Sequence, residues 1–399
     1  MGIRVAYLTH YADLYGANRS LLDLMLQLRA AHNVEPMVFL PVDGPLIERL
    51  ADLGIAHKVV PWAPWMTKRH YEGGWHHRFQ QHIRYLRQAR GNRIRNKALR
   101  PILEEQLAKW GTQLVHVNSL AVGMATELVG RLSIPLVWHM REMPERHYGF
   151  HHDHGVRAYV DALKKADARI AISDAVRKDV AHRIGPSVPV EVVHNGIYTA
   201  PGFAAAALGS EERWRNVAPF TFLMAGVIHP AKGHDEAIAA LAIVLREHKA
   251  RLRIIGGGNK DGLRRAIHAQ GLQDQVDLLD YADDLSEFYG SGHALLMCSR
   301  HEALGRVTIE AMAHGLPVIG RAEGGTLEVI EDGSTGLLYD KGPEELAVRM
   351  LQLIRDPEGA REMATAAMRD VAVRFTVEGS ADRVMQRYTE LLQDHGAKS

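Results

Sequence analysis

A chain of 399 residues, 46% hydrophobic and 24% charged, has an ordinary globular composition and is longer than one core usually serves, so two domains are expected. Its 48 Lys and Arg against 47 Asp and Glu leave a formal net charge of +1, which gives no global case for nucleic acid as a partner. The single cysteine, Cys298, leaves no partner for an internal disulfide, the first residues carry too short an apolar run for a signal peptide, and no run approaches the roughly 20 apolar residues of a membrane helix, so a cytoplasmic protein is expected.

In chain order, residues 3–8 read as a first strand, and residues 20–28 as a helix with Leu21, Leu24, Met25 and Leu28 on one face. The loop between them holds one glycine, Gly16, and lacks the three glycines of a dinucleotide fingerprint, so a Rossmann dehydrogenase is poorly supported. Residues 36–40, 59–60 and 114–118 read as further short strands alternating with helical stretches, the pattern of a doubly wound sheet. Residues 61–100 depart from it. They carry Trp62, Trp65, Tyr71, Trp75, Phe79 and Tyr85 among Lys68, Arg69, Arg78, Arg84, Arg87, Arg90, Arg93, Arg95, Lys97 and Arg100. With Glu72 as the only acid, ten bases less one gives a local charge of +9. Such a segment suits a helix or loop on an anionic membrane surface, a pocket for a phosphate-bearing acceptor, or equally a solvated helical face.

Residues 134–142 read as a strand, with His139 toward its end. His147, His151, His152, Asp153 and His154 crowd one polar stretch with no ligand from a separate element, which reads as a mobile loop rather than a metal site. Residues 168–173 form a strand, Ser173 caps a following helix, and residues 190–196 end in an Asn-Gly turn. The polar, alanine-rich run 199–219 is the best domain boundary.

Residues 220–226 open the second half as an apolar strand, and residues 229–233, ending Lys232-Gly233, lead into a helix from about Asp235. Residues 253–258 and 276–281 are further strands. The continuous apolar run 294–298 is that of a parallel strand buried on both faces. After Gly305 a helix runs to Ala313, stopped by Gly315 and Pro317 before the strand 317–320. The start of that helix, at Gly305, Arg306, Val307 and Thr308, presents free backbone N–H groups that with the helix dipole suit a phosphate or diphosphate. Glu302 lies before this anion site and Glu310 behind it, 310 − 302 = 8 positions on. A ligand with hydroxyls on both sides of a diphosphate fits them, and a nucleotide sugar has that layout.

Ser299, Glu302, Gly305, Glu310, Ala311, Met312, Ala313, Gly315, Pro317, Gly324 and Gly325 together closely resemble the signature of the retaining glycosyltransferases of family 4. The resemblance implies an α/β GT-B fold, two Rossmann-like doubly wound domains facing a central cleft. In that family the first glutamate contacts the donor sugar and the second the ribose, roles that fall on Glu302 and Glu310. Lys232 matches a lysine before glycine that neutralises the leaving diphosphate. Val227 stands where the family commonly has an arginine, so charge stabilisation falls on Lys232 and Arg306. The loop at Gly16 resembles one whose backbone approaches the diphosphate or the acceptor, with an ordinary turn as the alternative. His139 matches an active-site histidine that points into the cleft, where an imidazole can hydrogen-bond a donor-sugar hydroxyl; Arg141 and Glu142 follow it and face the acceptor.

The resemblance therefore implies an N-terminal acceptor domain at 1–198, a linker at 199–219, a donor domain at 220–375, and a C-terminal helix, 376–399, crossing back to the first. The expected enzyme moves a sugar with retention from a nucleotide diphosphate sugar, UDP-sugar ahead of GDP-mannose, to a glycan, a lipid-linked glycan or a small molecule. It needs no metal or cofactor: with no obvious nucleophile, the departing phosphate takes the acceptor proton while Lys232 and the helix N–H groups stabilise it. Two rivals stand beside it. A glycoside hydrolase using Glu302 and Glu310 as acid and base leaves the phosphate features without a use. A non-catalytic nucleotide-sugar binding protein has no need of His139.

Overall fold

The computed structural model describes residues 2–68 and 73–397; Arg69, Tyr71 and Glu72 of the basic aromatic segment, and the side chains of His147 and Tyr148, lie outside the described residues. The chain divides into two compact units, one formed by residues 1–196 and 377–399, the other by residues 197–376.

The first unit is built on β1 (Ile3–Leu8), β2 (Val34–Leu40), β3 (Ala56–Val59), the short β4 (Met66–Lys68), β5 (Leu114–Val117), β6 (Leu136–Met140), the short β7 (Phe150–His152), β8 (Ala168–Ala171) and β9 (Glu191–Val192). Seven of these form one sheet, ordered β3-β2-β1-β5-β6-β8-β9, with every neighbouring pair parallel. Helices cover both faces, so β5, β6 and β8 are buried at every position, which explains their unbroken apolar runs. The helix Gly16–His32 buries Leu21, Leu24, Met25 and Leu28, spaced i, i+3, i+4, i+7. It ends at Asn33, whose left-handed φ of 53° lets its N–H reach the Leu28 carbonyl. Ala381, Val384, Tyr388 and Leu391 of the C-terminal helix Val377–Gly396 join the same apolar cluster. Each fully buried leucine there contributes about 2 kcal/mol.

The second unit holds β10 (Phe220–Ala225), β11 (Ala250–Ile255), β12 (Val276–Leu279), β13 (Ala294–Met297), β14 (Val318–Arg321) and β15 (Leu337–Tyr339) in the order β12-β11-β10-β13-β14-β15, again all parallel. Its core gathers Phe222, Met224, Leu252, Ile254, Leu296 and Ile319 from the strands with Ile238 and Leu241 of the helix His234–Val244.

Three expectations change. Residues 199–219 are no bare linker: they hold a helix, Ala200–Ala206, and a 3-10 turn, Ser210–Arg215, within the second unit. Arg213 ties them down, its guanidinium donating to the Tyr289, Gly292 and His314 carbonyls at 2.8, 2.6 and 2.6 Å. The histidine-rich stretch is not a free loop, because β7 pairs antiparallel with β4, Tyr85 OH donates to the His152 carbonyl at 3.2 Å, and His152 stacks on Tyr159. Finally, the basic aromatic segment resolves into parts. Trp62, Trp65 and Tyr85 are buried, Trp65 stacking on His154 against Gly123, whereas residues from Trp75 onward form a helix of 36 residues, Trp75–Trp110.

Candidate functional site

In each sheet the chain leaves the first strand in one direction and returns on its other side, so the order reverses between β1 and β5 and again between β10 and β13. Open α/β sheets bind ligands beyond the carboxyl ends of the strands at such switch points. The residues singled out by the sequence cluster there.

In the second unit, β10 runs into the 3-10 turn Pro230–Lys232 and then Gly233, at φ 71°. A Cβ at Gly233 would lie 2.5 Å from the Cys298 carbonyl, so only glycine lets this turn press against the end of β13. The Arg300 N–H donates to the Ala231 carbonyl at 2.8 Å, closing the two loops together. Lys232 Nζ thereby lies 2.8 Å from Glu302 Oε2, with both side chains largely buried. Behind them Gly325 N–H donates to the Glu302 carbonyl at 2.8 Å, and a side chain at Gly324 would meet that carbonyl at 2.5 Å, so the paired glycines are what hold the Glu302 backbone.

Gly305, at φ 90°, turns the chain into the helix Arg306–Ala313. The start of that helix is where the sequence anticipates an anion site, and Thr308 Oγ1, buried without a partner, lies beside it. Glu310 is fixed from two sides: Arg306 Nε donates to Oε1 at 2.6 Å and Tyr289 OH to Oε2 at 2.9 Å. Arg306 therefore binds Glu310 here. Burial, and then Glu310, raise the Tyr289 phenol well above its ordinary range and keep it a neutral donor. Tyr289 carried no local signal in the sequence, since it meets Glu310 from 21 positions away.

In the first unit, His139 is the next-to-last residue of β6 and is almost fully buried. Its Nδ1 lies 3.3 Å from Arg141 Nη2 and 3.3 Å from His116 Nε2, while Nε2 has no partner. A guanidinium can only donate, so Nδ1 must accept and the proton belongs on Nε2. His116 Nδ1 in turn meets Tyr388 OH at 2.6 Å. Burial first, then the positive charge of Arg141, hold His139 well below the usual imidazole range, so it stays neutral.

Arg141 and Glu142 do not stand as free groups facing a ligand. Arg141 is bound to Asn118 and, at 2.5 Å, to Asn195 Oδ1, and burial lowers its pKa to about 10. Glu142 accepts from the Ser119 hydroxyl and, at 2.9 Å, from the Leu120 N–H, and burial raises its pKa. Both orient the carboxyl end of β6 and hence His139. Gly16 is the first residue of its helix, and nothing lies within 4 Å of where its Cβ would be, which leaves room for a ligand at that helix start. Among the described residues no group of three His, Cys, Asp or Glu could hold a metal ion, and no helix is long and apolar enough to cross a membrane.

Two family models match this chain, one described as glycosyl transferases group 1 over residues 210–370, the other as glycosyltransferase family 4 over residues 15–200. The chain belongs to the group 1, family 4 glycosyltransferases. The chain is 30% identical over 263 residues to D-inositol 3-phosphate glycosyltransferase of Kineococcus radiotolerans, covering 59% of this chain and 60% of that one. Over 235 residues it is 25% identical to N-acetyl-alpha-D-glucosaminyl L-malate synthase of Bacillus anthracis, covering 58% and 62%. The chain thus spans about three fifths of the length of those relatives. Among solved structures, Anabaena Alr3699/HepE in complex with UDP-glucose superposes with a TM-score of 0.76 at 21% identity over 97% of this chain and 100% of that one. WaaG, a glycosyltransferase involved in lipopolysaccharide biosynthesis, does so with a TM-score of 0.64 at 18% identity, over 95% and 98%. The fold of the chain is GT-B.

Proposed function

We propose that this glycosyltransferase is a retaining enzyme that takes a hexose from a nucleotide diphosphate sugar, a UDP-sugar before GDP-mannose, and transfers it to a sugar-containing acceptor. The observation that carries the reading is the contact of Lys232 with Glu302, 2.8 Å apart at the β10/β13 switch point, ahead of the helix start at Gly305. The Arg306, Val307 and Thr308 end of the helix receives the diphosphate, Glu310 accepts from the ribose hydroxyls, and Glu302 accepts from the sugar. UDP and UDP-glucose in the HepE complexes, and the sugar transfers in the relatives' names, favour this ligand class. The first unit is assigned the acceptor, with Gly16 at a helix start open to it.

As the bond from the anomeric carbon to the diphosphate oxygen breaks, the negative charge that develops is met by the Lys232 ammonium and the helix N–H groups. The acceptor hydroxyl attacks from the same face and passes its proton to the departing phosphate. His139, neutral with its proton on Nε2, donates to a sugar hydroxyl and takes no proton itself. All positive charge in this scheme comes from side chains and backbone, so no resident metal or cofactor is required. Neither carboxylate stands as an acid awaiting a glycosidic bond, since Glu302 is bound by Lys232, and Glu310 by Arg306 and Tyr289, which speaks against the hydrolase reading.

The test is proton NMR of the product formed from a UDP-α-sugar and a sugar acceptor. An α-anomeric signal supports the assignment, and a β signal, or release of free sugar only, overturns it.

A further inference from the structure

The helix Trp75–Trp110 has a surface that the proposed chemistry does not use. It is 36 residues long, about 54 Å at 1.5 Å per residue. Tyr85, Ala89, Asn96, Leu103 and Leu107 recur along one side and pack it onto the unit; Asn96, for example, exchanges hydrogen bonds with the Ala63 backbone at 2.8 and 2.9 Å. All six residues of its first turns, 75–80, are exposed. Trp75 is 71% exposed, Phe79 58%, Leu86 51% and Ile94 60%, an accumulation of bare apolar side chains seen on no other helix of the described residues.

At about 100° per residue, Trp75, Phe79, Leu86, Arg90, Arg93 and Lys97 fall within one stripe roughly 60° wide. Its first half is aromatic and aliphatic, its second half basic. From position 75 to position 103 there is no Asp or Glu. Arg100 is paired with Glu104 and Glu127, whereas Arg78, Arg84, Arg87, Arg90, Arg93, Arg95 and Lys97 enter no ion pair among the described residues. A merely solvated face would interleave acids with these bases and would not expose an indole and a phenyl ring beside Leu86.

We propose that this stripe docks on an anionic lipid surface, Trp75, Phe79 and Leu86 entering the interface while Arg90, Arg93 and Lys97 meet the headgroups. Two properties select a membrane over a soluble polyanion. Leu86 and Ile94 have no use against a nucleic acid or an acidic glycan, and because the apolar end lies on the same side as the bases, one surface can meet both the acyl boundary and the anionic headgroups. The buried Trp62, Trp65 and Tyr85 take no part. The inference is independent of the donor assignment, and it gives the protein a way to work on membrane-borne acceptors with no crossing helix among the described residues.

Sedimentation of the full chain with phosphatidylcholine vesicles, with and without phosphatidylglycerol, at low salt and roughly tenfold higher salt, tests it. Wild type is expected to pellet with the anionic vesicles at low salt and to be released at high salt. Changing Arg90, Arg93 and Lys97 together to Gln should weaken partitioning about a hundredfold, near fivefold for each base. Trp75→Ser with Phe79→Ser should weaken it at least tenfold at both salts, because aromatic burial is not screened. These five side chains are exposed, so the melting temperature and nucleoside diphosphate binding of both variants should match wild type. Wild type remaining in the supernatant at low salt overturns the proposal, as does equal binding to neutral vesicles. So does an unchanged Trp75/Phe79 variant, which would mark the bases as a site for a soluble polyanion.

Discussion

Replacing Lys232 by Ala removes the ammonium placed against Glu302 beyond the end of β10. At 2.8 Å and an effective dielectric near 20, a full pair of charges attracts by about 332/(20 × 2.8), roughly 6 kcal/mol, before desolvation is subtracted. Only the part that grows as the diphosphate departs accelerates the reaction. Half to one unit of new charge then corresponds to about 3 to 6 kcal/mol, and measured losses of single charge-stabilising groups lie at the lower end of that range. The expected loss in kcat is therefore two to three orders of magnitude. Steady-state kinetics of nucleotide release should show it, with Lys232→Arg recovering part of the rate and Glu302→Gln in the Lys232→Ala background restoring some nucleotide affinity by removing the unpaired acid. Removing the lysine leaves a largely buried carboxylate without this partner, so some fall in melting temperature, short of unfolding at the assay temperature, is expected as well. Wild-type turnover in Lys232→Ala would refute the leaving-group role, and a rate loss matched by a collapse in melting temperature would reassign the residue to stability.

Glu310→Ala should raise the donor KM while Glu302→Ala mainly lowers kcat; equal losses in both parameters for both variants would contradict that division. Tyr289→Phe, which removes the 2.9 Å bond to Glu310, should weaken nucleotide binding by a smaller factor in calorimetry. Gly305→Ala puts a side chain at φ 90° and 3.1 Å from Thr308 Oγ1, so unfolding by denaturant should show a loss of about 1 to 2 kcal/mol, accompanied by weaker nucleotide binding. Half-buried His10, its pKa lowered to about 3 by desolvation of the ring, and buried His234, lowered to about 4, stay neutral in the folded chain but gain protons on unfolding near pH 6.5. Stability should thus be full above pH 6.5 and fall on acidification, by about 2 kcal/mol per histidine between pH 7 and 5, in melting curves across that range. Glu142 works against this trend, because its raised pKa favours the folded state as pH drops.

The parallel strands were readable because burial on both faces leaves unbroken apolar runs, as at β13, where all four positions are buried. The Lys232, Glu302 and Gly305 constellation was readable because turns and helix starts write their requirements locally, in glycines. Side-chain pairings between distant positions were not. Tyr388 with His116, 272 positions apart, and Arg213 with three carbonyls leave no periodic trace. The run 199–219 was read as a linker from its composition, yet Arg213 anchors it. In the basic aromatic segment, composition merged Trp62, Trp65 and Tyr85 with Trp75 and Phe79, although only the last two are exposed. The spacing of Tyr85, Ala89, Asn96, Leu103 and Leu107, by 4, 7, 7 and 4, could have separated the packed face from the bare one.

The central claim, a nucleotide sugar held by the second unit, is tested most directly by isothermal titration of UDP, GDP and ADP into wild type and into Glu310→Ala. UDP is expected to bind wild type with a dissociation constant in the micromolar range, ahead of the other two, and to lose about tenfold or more in Glu310→Ala, the worth of one good hydrogen bond to a charged group. No heat with any nucleoside diphosphate, or the same affinity in both proteins, would contradict the assignment.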